Sequence, residues 1–224
     1  MSQRLIFPDA QAAADALTFA SRTSRLGDGG VRLQAAGGTL AMTSAPLAPR
    51  GLLDSTPTVL ALRALPVDPE LVCDLVVEAS LLVAAPDDDR AIILPEVAVS
   101  PAWAGVAPPK GGWEAAGTIQ AAVLAARAQF GIASVAEAMP ADPGEDVVRT
   151  VRASVWGEPD EQLAGLPLGA AFAAFALGFI VGEEDARLLT AGPWSRVTLS
   201  RGHVLVRGPQ RIGLGPVRVT GGIQ

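Results

Sequence analysis

Acid–base or nucleophilic chemistry near neutral pH usually calls on histidine or cysteine, and this sequence holds one of each, His203 and Cys73. His203 stands in SRGHVLV, at an expected hairpin tip or strand start, and no carboxylate in that segment could orient its ring. It reads as a solvated turn histidine. Cys73, set between apolar residues in LVCDLVV, reads as a small core residue and not a nucleophile. One Cys and one His cannot supply the four ligands of a structural zinc site. The run Asp87-Asp88-Asp89 lacks the alternating spacing and distal glutamate of an EF-hand loop and reads as a solvated acidic turn. No phosphate-cradling G-x-x-x-x-G-K-[ST], no G-x-S-x-G elbow and no H-E-x-x-H is present, and Gly213-x-Gly215 has Arg218 where a dinucleotide fingerprint needs a third glycine. Glu158, Asp160, Glu161, Glu183 and Glu184 bracket apolar helices as ordinary polar ends. These observations assign no catalytic residue, no metal and no cofactor.

Two groups of residues could instead bind. The segment from Trp103 to Trp113 concentrates two tryptophans, the only lysine (Lys110), Pro108-Pro109 and Gly111-Gly112. Tryptophan is costly to expose, so Trp103 and Trp113 either staple two parts of the chain together or, with Lys110, form a recognition surface for an anionic or peptide ligand. The second group is basic. After Asp185 the sequence has six arginines and no acidic residue, among them Arg196, Arg201 and Arg207, which are candidate contacts to a polyanion. From Asp68 to Asp185 nineteen acids face five bases, and before Asp68 six bases face four acids. A basic end on an acidic middle steers a polyanion, or lies against that middle within one monomer.

Half of the 224 residues are apolar, enough to bury a sizeable core. Sixteen arginines against one lysine, with no tyrosine, reflect GC-rich codons and not a function. The start, MSQRLIFPDAQAAADAL, lacks the pattern of a signal peptide, and the lone cysteine cannot close an internal disulfide, so a cytoplasmic location is expected. The uncharged stretch Leu163 to Gly182 raises the question of a membrane span. Pro167 fits a helix start and Gly182 a stop, which leaves about 15 helical residues or roughly 22 Å, too short for a hydrocarbon layer of ~30 Å. Leu168, Phe172, Phe175 and Phe179 fall on one side of that helix, and Ala170, Ala174 and Gly178 form a smooth strip on another.

The elements follow from periodicity and punctuation. Asp9 caps a first, alanine-rich helix that ends at Gly27. VRLQAAGGTLAMT reads as a hairpin about Gly37-Gly38, TVLALRAL as a further strand, and LVCDLVVEA as a strand before a short helix around Ser80 to Ala85. Beyond Trp113, Ile119, Val123, Ala126 and Phe130 share a helical face that Gly131 closes, and Ile132, Val135 and Met139 begin a shorter helix. Asp142-Pro143 caps the next helix, the Phe/Ala helix follows, and strands return in RLLTAG, SRVTLS and HVLVRG. The expected class is α+β: an N-terminal helix with a small antiparallel sheet, then central and C-terminal helices followed by a second small antiparallel sheet. The expected organisation is an α+β subdomain over 1–100, a Pro/Gly/Trp connector over 101–113, and a helical subdomain ending in strands over 114–224.

The strings PAWAGVAPPKGGWE, RASVWGEP and GAAFAAFALGF resemble a family of uncharacterised actinobacterial proteins of similar length. That family has no established activity, so the resemblance implies no site residue. Three function classes stay open on the residues themselves. The first, which asks least of the sequence, is a non-enzymatic binding or interaction protein that engages an unknown protein partner or a second copy of itself. The others are a nucleic-acid binder using the basic C-terminal hairpin, disfavoured because the preceding helix carries almost no charge, and an enzyme of unrecognised type. No membrane partner is expected.

Overall fold

The computed structural model describes residues 3–51 and 53–208; Arg211, Arg218 and the Gly213-x-Gly215 pair lie outside them. The chain begins with a short strand β1 (Arg4–Ile6) and helix α1 (Ala10–Thr23), whose first turn is capped as expected: Asp9 Oδ1 accepts from the Ala12 amide at 2.8 Å. Strands β2 (Gly30–Ala36) and β3 (Thr39–Leu47) form the hairpin, with Gly37 and Gly38 at φ 55° and 78° supplying the two left-handed residues of its turn. Strands β4 (Thr58–Pro66) and β5 (Cys73–Glu78) follow. The expected helix around Ser80 is a single 3-10 turn, Ala79–Leu81, after which β7 (Ala91–Ile93) pairs with both β1 and β6 (Val83–Ala84) in a three-stranded sheet.

The second half opens with a strand where a helix was expected. Residues Glu114–Gln120 form β8, an edge strand in which only Ile119 is buried, and α2 (Ala121–Ala138) starts behind it. Pairing with a neighbouring strand prevails there over the alanine-rich local preference. α2 also runs unbroken past Gly131, which is buried against Trp156 and Leu168; packing outweighs the ~1 kcal/mol that a glycine costs inside a helix. Helix α3 (Glu145–Gly157) is entered from Gly144, while Asp142 sits upstream with φ 53°. Helix α4 (Leu168–Ala176) is shorter than the uncharged stretch around it. Arg22 of α1 explains its stop: the guanidinium lies against Gly178, which has φ 71°, and donates to the Leu177 carbonyl at 2.7 Å. Phe175 is consequently 41% exposed, whereas Phe179, beyond the helix, is fully buried and stacks on Phe19. Among the described residues no helix is long and apolar enough to cross a membrane.

Strands β9 (Asp185–Ala191), β10 (Trp194–Leu199) and β11 (Gly202–Arg207) are the last elements among the described residues, and the α+β class holds. The sheets expected at the two ends are joined edge to edge. β4 pairs β11 antiparallel from His203 opposite Leu62 to Arg207 opposite Thr58, giving one eight-stranded sheet of order β5-β2-β3-β4-β11-β10-β9-β8. Alternation divides its side chains. The inner face, with Leu33, Met42, Val59, Val197 and Val204, packs on α1, α2 and α4 in the main core. The outer face, with Ala45, Leu60, Val76, Trp194 and Leu205, forms a smaller second core under Trp103. Trp103 belongs to a strap over residues 97–113 that crosses this outer face. Val99 N–H donates to the Val76 carbonyl at 2.8 Å, Arg32 Nη1 donates to the Ala104 carbonyl at 2.8 Å, and Trp113 packs near the far edge.

Candidate functional site

The structure separates the two residues that sequence alone offers for nucleophilic chemistry. Cys73 on β5 and His203 on β11 are four strand spacings apart, on the order of 19 Å. Burial pushes the Cys73 thiol up, away from thiolate. The acidic turn is occupied by arginines: Asp87 pairs with Arg4 at 2.8 Å, and Asp88 accepts from the Arg90 amide and side chain. No group of three or more metal-ligating side chains occurs among the described residues.

Of the strap residues, Trp103 is buried and its indole N–H donates to Asp28 Oδ2 at 2.7 Å, which makes it a staple. Trp113 is half-buried, donates to the Pro109 carbonyl at 3.1 Å and lies under the Arg196 guanidinium, 5.8 Å from the ring centre. Lys110 is exposed at the surface. Trp103 and Trp113 both pack against the outer-face core, and Trp113 is bonded to the residue that precedes Lys110.

A cleft of about 630 Å³ is walled by the β3–β4 loop, the strap and α3. Its apolar lining includes Ala45, Pro46, Leu47 and Trp103, and its charged residues include Arg50, Arg149 and Arg152. Gly27, Arg152 and Trp156 also line an adjoining hollow of about 350 Å³ that reaches Val135 and Phe172. The cleft's carboxylates are engaged. Asp28 accepts from Trp103 and from the Gly30 amide, and Asp54 accepts from the Arg50 and Thr56 amides at 2.8 and 2.9 Å. Burial pushes the Asp54 carboxyl up, but the hydrogen bonds from Thr56 and Arg50 prevail and hold it below its ordinary value.

The three arginines differ. Arg149 pairs with Glu145 at 2.7 Å and Arg50 with Asp146 at 3.3 Å. Arg152 has no carboxylate within ion-pairing distance among the described residues, its Nε is buried without a hydrogen-bond partner, and its guanidinium lies 5.5 Å from the Trp156 ring centre. Trp156 is itself fixed, stacked on Phe172 with centroids 3.8 Å apart, and its Nε1 also lacks a partner. A buried donor left unsatisfied costs about 1–3 kcal/mol. The sequence held a signal for this group, since Arg149, Arg152 and Trp156 fall at i, i+3 and i+7 on one face of RTVRASVW.

The basic hairpin residues occupy different positions. Arg201 is exposed in the β10–β11 turn, where its carbonyl accepts from Arg63 at 2.8 Å, and Arg207 is half-buried with an unpartnered Nε. Arg196 and His203 are adjacent on the outer face, Nη2 to Nε2 at 3.0 Å. Guanidinium can only donate, so Nε2 is the acceptor and the ring proton sits on Nδ1, 3.3 Å from Thr198 Oγ1. Burial first, then the positive charges of Arg196 and Arg187, push His203 down to about 4. The imidazole is neutral at pH 7, a fixed acceptor and not the solvated turn residue expected.

Residues 1–105 match a family model described as a domain of unknown function (DUF8010), and residues 108–211 match a second, likewise described (DUF8185). The two matches meet inside the strap. No curated protein matches the chain. Among solved structures, the DNA polymerase sliding clamp from Caulobacter crescentus is similar at 14% identity and a TM-score of 0.49, over 96% of this chain and 67% of that one. The DnaN sliding clamp (DNA polymerase III subunit beta) from Bartonella birtlesii gives the same identity, coverage and score. A putative DNA polymerase III beta subunit from Eubacterium rectale is 7% identical, with a TM-score of 0.47 over 93% of this chain and 65% of that one. The chain thus spans about two thirds of the length of the clamps it matches.

The depressed His203 has a consequence for stability. An unfolded histidine titrates near ~6.5, so between that value and about 4 the unfolded chain binds the extra proton and folding weakens as pH falls. Urea midpoints compared at about pH 7 and about pH 5 should drop further for the wild type than for His203→Gln, which keeps an acceptor for Arg196 but cannot titrate. Equal drops would show that His203 does not titrate in this window.

Proposed function

We propose that this chain is a binding protein whose cleft between the strap, the β3–β4 loop and α3 holds a ligand with an anionic group and an apolar body. One observation carries the reading: Arg152 is a half-buried cation with no carboxylate partner among the described residues, set in a cleft whose other two arginines are paired. A carboxylate or phosphate oxygen at that guanidinium would form the charge-assisted bond the fold leaves unmade. The apolar lining of Ala45, Pro46, Leu47 and Trp103 suits the remainder of such a ligand. Binding is favoured over catalysis because the cleft's carboxylates, Asp28 and Asp54, are committed to amide and indole donors, and His203 and Cys73 stand elsewhere.

A second reading, self-association, is favoured by the outer side of α2. Ala122, Ala126, Gln129, Phe130, Ala133 and Ala136 are exposed there, and none of these six positions is itself charged. Arg127 pairs with Asp160, its Nε donating at 2.8 Å, and its guanidinium lies over the Phe130 ring, 4.1 Å from the centroid. Surface helices ordinarily face water with charged residues, whereas a smooth alanine face lets a second helix approach closely.

Each reading has its own test. The anionic apolar dye 1-anilinonaphthalene-8-sulfonate should bind the native protein saturably, and Arg152→Gln should weaken it roughly tenfold, the worth of one charge-assisted hydrogen bond. Undiminished binding by that variant would remove the cleft from consideration. For self-association, sedimentation equilibrium should show a dimer that Ala126→Glu dissociates; a monomer at all concentrations sinks the second reading.

A further inference from the structure

We infer that Arg187, Arg196 and His203 form a second anion site, on the outer face of the sheet and independent of the cleft, built for a phosphate-type oxyanion. The register brings these residues together. Arg187 on β9 stands opposite Thr198 on β10, and Thr198 stands opposite His203 on β11, so the three form one cross-strand row. Arg196 is the preceding outer-face position on β10. Adjacent strands lie about 4.8 Å apart, which puts both guanidinium groups within reach of a single tetrahedral anion.

Charge and hydrogen bonding argue in the same direction. Neither arginine has a carboxylate within ion-pairing distance among the described residues. Burial is the main cost to the charged forms of Arg196 and His203, and the like charge of Arg187 adds to it at both. Elsewhere in the molecule Arg4, Arg32, Arg63 and Arg127 are each matched to an aspartate. Arg196, like Arg152 in the cleft, is half-buried and has no such match.

Arg196 is also held ready. One of its Nη groups is fixed on His203 Nε2, its face lies over Trp113, and its Nε is buried with no acceptor. Neutral His203 adds no third repulsive charge; it is the acceptor that orients the guanidinium. Two forks, one oriented and one on an exposed and adaptable side chain, suit an oxyanion that presents several acceptor oxygens and up to two charges. Phosphate and phosphate esters share that chemistry.

The single histidine makes the test direct, because His203 gives the only imidazole signals in the proton–carbon NMR spectrum. Inorganic phosphate titrated at constant ionic strength, with chloride as the balancing salt, should shift the His203 ring signals saturably with a Kd of about 1 mM or tighter. Arg196→Gln and Arg187→Gln should each abolish the saturable shift, and Arg152→Gln should leave it intact. Arg187 is exposed, so Arg187→Gln keeps the test decisive should Arg196→Gln fail to fold. A shift that chloride reproduces, or one that survives Arg187→Gln, overturns the site. A short single-stranded oligodeoxynucleotide then distinguishes the sources: binding tighter than phosphate, with a steep salt dependence, assigns the oxyanion to a polymer backbone, and equal or weaker binding assigns it to a free phosphate or small ester.

Discussion

The pairing of β4 with β11 is the constraint on which the molecule depends. It joins strands from residues 58–66 and 202–207 and so turns two half-sheets into one. With that seam closed, β5 and β8 become opposite edges of an eight-stranded sheet, seven spacings or about 34 Å apart. The chain must cross that distance between them. Seventeen residues at up to ~3.3–3.6 Å each reach well beyond it, which allows the strap to dip and bury Trp103 on the outer face. The cleft exists because the strap has to pass there.

Different forces hold the strap at different points. Trp103 contributes most, since it covers Ala45, Leu60 and Val76 and gives its indole N–H to Asp28, a charged acceptor whose hydrogen bond is worth about 1.5–3 kcal/mol. Arg32 holds the chain at Ala104 while its fork grips Asp74 through two bonds of 2.8 Å. Asp74 is half-exposed, so the ion pair adds at most ~1 kcal/mol, and its main effect is to aim the guanidinium. Trp113, by contrast, is tied to its own segment and to Arg196. The strap thus touches both proposed sites: one tryptophan walls the cleft and the other flanks the arginine–histidine row.

What the sequence revealed depended on whether the deciding interaction was local. Asp9 as a cap, the two glycines of the β2–β3 turn and the alternation of VLALRAL, RVTLS and HVLVR act within a few residues, and these elements stand as read. The edge strand β8 was illegible because EAAGTIQ has no alternation of its own, and only the presence of β9 makes it extended. Gly131 looked like a stop because its partners, Trp156 and Leu168, lie 25 or more positions away. The length of α4 turned on Arg22, at a still greater separation. For the sites, Trp103 and Trp113 stood out by composition and Arg196 by charge, whereas the spacing of Arg149, Arg152 and Trp156 gives one helix face and only the loop and strap around it make that face a cleft. His203 was misjudged for the same reason: its segment shows a turn, and its burial comes from neighbouring strands.

Native-state hydrogen exchange across the β4–β11 seam tests the central claim most directly. Amides bonded across the seam should exchange only through global unfolding, with the same free energy as the best-protected amides of the β2–β3 and β10–β11 hairpins. Seam amides that open at a distinctly lower free energy than both hairpins would contradict it. The two halves would then be separate units that merely touch, and the strap would be a linker between them with no cleft to hold.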